Sequence, residues 1–147
     1  MRFYFAYGSN MAPLAMARRC PHAELMGAAV LPHHRFAIIR SGHGTVLRKP
    51  GADVHGVLWH IGARDEAALD RYEEVARGLY RRERRLVLFH GRRILALIYV
   101  AAPKSRGQPR PAYIQAIIAS ARRFGFPASY IAALSAIART SAGEWPA

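Results

Sequence analysis

Up to about residue 100, short hydrophobic runs alternate with glycine, proline or polar breaks, and beyond that point apolar residues recur at helical intervals. Arg2-Phe3-Tyr4-Phe5-Ala6, Arg35-Phe36-Ala37-Ile38-Ile39, Val54-His55-Gly56-Val57-Leu58-Trp59-His60, Arg84-Arg85-Leu86-Val87-Leu88-Phe89 and Ile94 to Val100 are rich in β-branched and aromatic side chains and predict strands. The break at His90-Gly91, ahead of Arg92-Arg93, is short enough to predict an antiparallel hairpin between the last two. A helix-like stretch begins near Met11. Between Ile61 and Ala76 the period changes, with Ala68, Leu69, Tyr72, Val75 and Ala76 on one helical stripe and Asp65, Glu66, Asp70, Arg71 and Glu74 mostly off it. A polar, proline-rich connection from Pro103 to Pro111 leads into a helix from Ala112, whose Ala116, Ile117, Ala121 and Phe124 repeat at helical spacing and which Gly125 and Pro127 end. Ser129 is the expected cap of a last helix with Ile131, Leu134, Ile137 and Ala138 as its buried stripe.

Strands do not alternate regularly with helices in this order, so a doubly wound sheet fits poorly. The expected class is α+β: a small mixed sheet closed into a barrel, with helices packed outside. A chain of 147 residues that is 52% hydrophobic suits a single domain over residues 1–147, with a loose tail from about 140 to 147.

Charge and cysteine usage narrow the function classes. The net charge of +13 comes almost wholly from arginines scattered in pairs, such as Arg81-Arg82 and Arg122-Arg123, and no nucleic-acid-binding module accompanies them. A solvated basic surface that binds polyanions loosely is expected, and specific nucleic-acid recognition is not. Cys20 is the only cysteine, so no intramolecular disulfide forms, and no Cys/His set has zinc-like spacing. No metal or other cofactor is expected. The N-terminus carries no basic-then-apolar leader and the longest apolar runs fall short of a membrane span, which points to a soluble, cytoplasmic protein. The histidines suggest no triad: His33 and His34 are adjacent, and His55, His60 and His90 sit in or beside strands, so all are read as structural. Cys20 reads as a packed or surface thiol.

The strongest candidate chemistry lies at Tyr7-Gly8-Ser9-Asn10, between the first strand and the first helix. A strand that ends in Gly-Ser-Asn and turns into a helix presents free backbone N–H groups at one point, suited to a carboxylate or a developing oxyanion. The plainer alternative is a permissive glycine followed by a helix cap.

Phe5-Ala6-Tyr7-Gly8-Ser9-Asn10-Met11, then Val54-His55-Gly56-Val57-Leu58-Trp59, then Leu69-Asp70-Arg71-Tyr72-Glu73-Glu74-Val75 leading to Gly78-Leu79-Tyr80, resemble successive blocks of the γ-glutamylcyclotransferase family. Pro111-Ala112-Tyr113 and Gly125-Phe126-Pro127 extend the likeness up to about Ile137. The resemblance implies a barrel-like α+β fold and release of an amine from a γ-glutamyl compound as the glutamyl part cyclises to 5-oxoproline, without a cofactor. It implies Glu73 as the catalytic carboxylate, because the family block runs Leu-Asp, two variable residues, then Glu. Glu74 is the near competitor. Tyr7, Gly8, Ser9, Asn10, Tyr80 and Tyr113 match the family's substrate-binding positions. The reaction asks for one proton acceptor that later donates, and partial burial of Glu73 beside Tyr72 and Val75 would raise its pKa to suit. The bland alternative for Glu73 is an exposed ion pair with Arg77, four residues on. Two further classes remain open at this point: an inactive anion-binding protein of the same shape, and a basic nucleic-acid-associated domain. The expected partner is a small γ-glutamyl molecule; the sequence leaves its identity and the oligomeric state open.

Overall fold

The computed structural model describes residues 2–101 and 106–139. Five strands, β1 (Arg2–Ala6), β2 (Glu24–Ile38), β3 (Gly44–Ile61), β4 (Tyr80–Phe89) and β5 (Arg92–Ala101), close into a barrel in the order β1-β3-β2-β4-β5. All neighbours are antiparallel except β5 and β1, whose parallel pairing closes the ring. Four α-helices accompany it: α1 (Pro13–Arg19), α2 (Ala63–Tyr72), α3 (Pro111–Arg123) and α4 (Ala128–Ala138). This is the expected mixed barrel. Phe5, Leu31, Val54, Leu58, Leu97 and Ile98 from the strands, with Met16, Leu69, Ile117 and Leu134 from the helices, are fully buried in one core.

The hairpin forms as expected, with Phe89 opposite Arg92. His90 and Gly91 both have positive φ, 49° and 76°, the conformation whose twist matches that of paired strands. Strands β2 and β3 are longer than the sequence pattern predicts. They form one extended hairpin, irregular between Leu25 and Gly27 and between Pro32 and His34, and its connection, Ile39–His43, is drawn tight by Ile39 N–H to the His43 carbonyl at 2.9 Å. The end of α3 is a Schellman arrangement: Phe126 N–H reaches the Ala121 carbonyl at 2.9 Å and Gly125 N–H the Arg122 carbonyl at 3.2 Å.

Three local expectations are corrected. Ser129 does not cap the last helix: Pro127 occupies that position, with its carbonyl accepting from Tyr130 and Ile131 N–H, and no side-chain cap forms. The α2 stripe does not hold, since Tyr72 is 42% exposed while Asp65 and Glu66 are buried. Asp65 is buried because its carboxylate accepts the Gly62 N–H at 2.8 Å at the helix start, and Glu66 because Arg2 and Arg82 both reach it at 2.6 Å. Finally, α2 stops at Tyr72 instead of running to Ala76, because Glu74 adopts a left-handed φ of 52° and a short 3-10 turn, Val75–Arg77, follows. The tail predicted over 140–147 lies outside the described residues.

Candidate active site

Hydrogen bonding in the turn after β1 begins with Met11 N–H to the Gly8 carbonyl at 3.1 Å and Ala12 N–H to that of Ser9 at 3.2 Å. The N–H groups of Ser9 and Asn10 precede the first of these bonds and have no partner within the turn. Gly8 has φ of −118°, open to any residue; what excludes a side chain there is Tyr113, whose hydroxyl would stand 2.8 Å from an added Cβ. No side chain caps the turn, so Ser9 and Asn10 do other work. The Ser9 hydroxyl meets that of Tyr72 at 3.1 Å. Asn10 is buried with both ends of its amide engaged, donating to the Tyr4 hydroxyl at 3.2 Å and accepting from Arg19 at 2.9 Å, while Trp59 Nε1 donates to its carbonyl at 3.1 Å.

This turn forms one wall of a cavity of about 740 Å³. The other walls come from the β2–β3 connection (Ile39, Arg40, Ser41 and His43) with Gly44 at the start of β3, the end of α2 with Glu73 and Glu74, the start of β4 at Tyr80, Tyr99 near the end of β5, and Tyr113 in the first turn of α3. All seven residues singled out in the sequence, Tyr7, Gly8, Ser9, Asn10, Glu73, Tyr80 and Tyr113, line it. Glu74, the competitor, lines it too, but its carboxylate is taken by Arg77 at 2.6 Å. The ion pair imagined between Glu73 and Arg77 thus forms one residue later.

Glu73 occupies the C-terminal cap of α2, its N–H bound to the Leu69 carbonyl at 2.8 Å. Burial pushes its carboxyl up to about 7, and the positive charge of Arg19 pulls the other way. A carboxyl poised there exchanges protons readily near neutral pH, as general acid–base chemistry requires. The tyrosines around it stay protonated: burial first, and Glu73's charge among the lesser causes, raises Tyr4, Tyr7, Tyr80 and Tyr113 above the usual phenol range. Their hydroxyls are not equally free. Tyr7 donates to the Tyr99 carbonyl at 2.6 Å and Tyr80 to the Gly44 carbonyl at 2.7 Å, so each is spent on the wall itself. Tyr113 instead accepts from Gly44 N–H at 2.9 Å and keeps its own proton to give.

Sequence reasoning did not anticipate Tyr4, Tyr99 or the loop residues Arg40, Ser41 and His43 as lining residues. Of the histidines, His43 alone lines the cavity; its ring packs on Tyr113, and burial and Arg110 lower its pKa. His33, His34, His55, His60 and His90 lie elsewhere, as read. Cys20 is a buried thiol, pushed up to about 11 chiefly by burial. Among the described residues no group of three or more His, Cys, Asp or Glu could hold a metal, and no helix is long and apolar enough to cross a membrane.

A closed five-strand barrel with a tyrosine-walled cavity at the end of β1 defines a γ-glutamylcyclotransferase-like fold. A solved γ-glutamyl cyclotransferase superposes with a TM-score of 0.87 at 25% identity, covering 99% of this chain and 93% of that one. The AIG2-like family model matches residues 53–134, and the chain belongs to that family. Human γ-glutamylcyclotransferase is 29% identical over 145 residues, which is 91% of this chain and 77% of the relative, and the mouse protein matches to the same extent.

Proposed function

We propose that this protein is a γ-glutamylcyclotransferase that converts γ-glutamyl amino acids to 5-oxoproline and the free amino acid. The observation that carries the reading is a carboxyl at Glu73, pushed to about 7 by burial, in the same cavity as the Gly8–Asn10 turn. The names of the human and mouse relatives support the same activity.

The substrate contains both reacting groups. Its α-amine attacks its own γ-carbonyl carbon, forming the lactam C–N bond, and the γ-amide C–N bond breaks to release the amine. The cavity has to hold the folded conformer, which converts binding into proximity. Ionised Glu73 takes the proton from the α-ammonium and later gives one to the departing nitrogen, so the carboxyl returns to its starting state. The Ser9 and Asn10 N–H groups receive either the γ-carbonyl oxygen as it becomes an oxyanion or the substrate's α-carboxylate, fixed donors that need no reorganisation in either case. Tyr113 offers a hydroxyl proton beside them. Tyr7 and Tyr80 shape the wall through their rings, and the Asn10 side chain holds the turn rather than the ligand. Arg40, exposed in the hairpin connection and in no salt bridge among the described residues, favours a leaving portion that carries a carboxylate, hence amino acids ahead of simple amines.

The test is Glu73→Gln, which keeps size and polarity. With a panel of γ-glutamyl amino acids and amines, the wild type is expected to release 5-oxoproline, and the variant to lose about 100-fold or more in kcat, the usual contribution of a positioned acid–base group. A variant that folds normally and cyclises at full rate removes Glu73 from the mechanism.

A further inference from the structure

Behind the cavity wall stands a cation that the reaction scheme does not use. Arg19, the last residue of α1, does not line the cavity, yet its guanidinium touches both sides of it. Its Nη1 donates to Asn10 Oδ1 at 2.9 Å, on the turn, and to the Ala15 carbonyl at 2.9 Å, on its own helix. The guanidinium carbon stands 3.5 Å from the ring centroid of Tyr72, the residue just before Glu73. Tyr72 in turn closes the loop by pairing its hydroxyl with that of Ser9. The groups that hold the Arg19 guanidinium, Asn10, the Ala15 carbonyl and the Tyr72 ring, are neutral, and among the described residues it belongs to no salt bridge. A planar fork held by neutral acceptors and an aromatic face keeps its whole positive field.

We propose that Arg19 is a positioning residue of this site: it clasps the Gly8–Asn10 turn to the end of α2 and lends Glu73 an unneutralised positive charge. The role rests on the acid–base reading of Glu73 given above. The other groups around that carboxyl carry little opposing charge. Tyr4 of β1, Tyr7, Tyr72 of α2, Tyr80 of β4 and Tyr113 of α3 are neutral phenols, Glu74 is paired with Arg77, and of the cations near the cavity Arg19, not Arg40 or His43 of the hairpin connection, is the one that acts on the Glu73 carboxyl. Burial favours the protonated form of Glu73, and Arg19 is the charge that opposes it and favours the carboxylate that accepts the ammonium proton.

Two neutral variants separate charge from shape. Arg19→Met keeps an unbranched chain against Tyr72, and Arg19→Gln keeps a donor for Asn10. Arg19→Lys keeps the charge and loses the fork. The direct readout is a ¹³C NMR titration of the Glu73 carboxyl in the purified full chain, alongside the pH profile of kcat/KM for 5-oxoproline release. Both neutral variants are expected to move the Glu73 midpoint and the acid limb together to higher pH by about 0.5 or more, with Arg19→Lys close to wild type. At a fixed pH below the limb that displacement reads as about a threefold loss of kcat/KM. A folded neutral variant, either of the two, whose carboxyl titrates at the wild-type midpoint overturns the proposal, whatever happens to its rate. Absence of 5-oxoproline from the wild type would strike the cyclotransferase reading instead, and the carboxyl titration would still decide for or against Arg19.

Discussion

At the residue scale, Gly8 of the cavity turn is constrained by space rather than backbone freedom. Its φ of −118° accommodates alanine, but the new methyl would lie 2.8 Å from the Tyr113 hydroxyl, which Gly44 N–H holds at 2.9 Å. Gly8→Ala is therefore expected to fold, to push the Tyr113 ring off Gly44, and to lower kcat/KM about 10- to 100-fold, the scale of a displacement of about an ångström in a positioned site. Tyr113→Phe in the same chain removes the clashing oxygen, so melting temperature should recover in the double variant while activity does not. An unchanged kcat/KM in Gly8→Ala would show that the hydroxyl does not need its place. Residue identity was legible in the sequence where chemistry is local: Tyr7 to Asn10, Glu73, Tyr80 and Tyr113 were all marked by motif and all line the cavity. What was hidden depends on distant partners. Tyr4 and Tyr99 reach the cavity through barrel closure, where Tyr4 pairs with Leu97, and Arg40, Ser41 and His43 through a hairpin connection with no signature of its own. Nor does helical periodicity reveal that Asp65 and Glu66 are buried, because Asp65 is drawn in by the Gly62 N–H at the start of its own helix and the arginines that satisfy Glu66 lie on β1 and β4.

Among the elements, the β4–β5 hairpin is the clearest case of local sequence dictating structure, and it carries two cavity residues, Tyr80 and Tyr99, at its far end. Its turn depends on Gly91, at φ of 76° with nothing within 4 Å of an added Cβ. Gly91→Ala thus isolates the backbone term: a loss of about 1 kcal/mol from the left-handed conformation, seen as a fall of about 3 °C in melting temperature with kcat/KM nearly intact. A larger fall with lost activity would mean that the turn sets the register as far as Tyr80. The long β2–β3 hairpin is the opposite case. Its outer half includes exposed Arg48, Lys49 and Pro50, and its irregularities fall at Gly27 and at His33, whose φ is 61°. Side chains there follow no period of two because backbone pairing, not a buried face, holds the strands. Similarly, α2 breaks at Glu73 because Glu74 turns left-handed, an event the apolar stripe running on to Ala76 conceals. That break puts Glu73 at a helix end in the cavity wall instead of mid-helix.

For the whole molecule, a site built around a half-buried carboxyl sets chemistry against stability, and pH makes the conflict measurable. Glu73 is raised from an ordinary 4.5 to about 7 in the folded chain, so between those values the native state holds a proton that the unfolded state has released. Stability attributable to this group is then fully present below about 4.5 and is lost as pH rises through 7. The full penalty above that point is on the order of 2–3 kcal/mol, the lower figure allowing for water in the cavity. Other titrating groups, and the repulsion within a chain of net charge +13, are common to wild type and Glu73→Gln and drop out of the comparison. Glutamine resembles the protonated acid, so the two proteins should unfold at nearly the same urea concentration at pH 4.5, whereas at pH 8 the variant should be the more stable by about 2 kcal/mol. Equal stabilities at both pH values would mean that the carboxylate is well solvated when charged. Its basicity near neutrality, on which proton transfer from an α-ammonium depends, would then have no physical source in this fold.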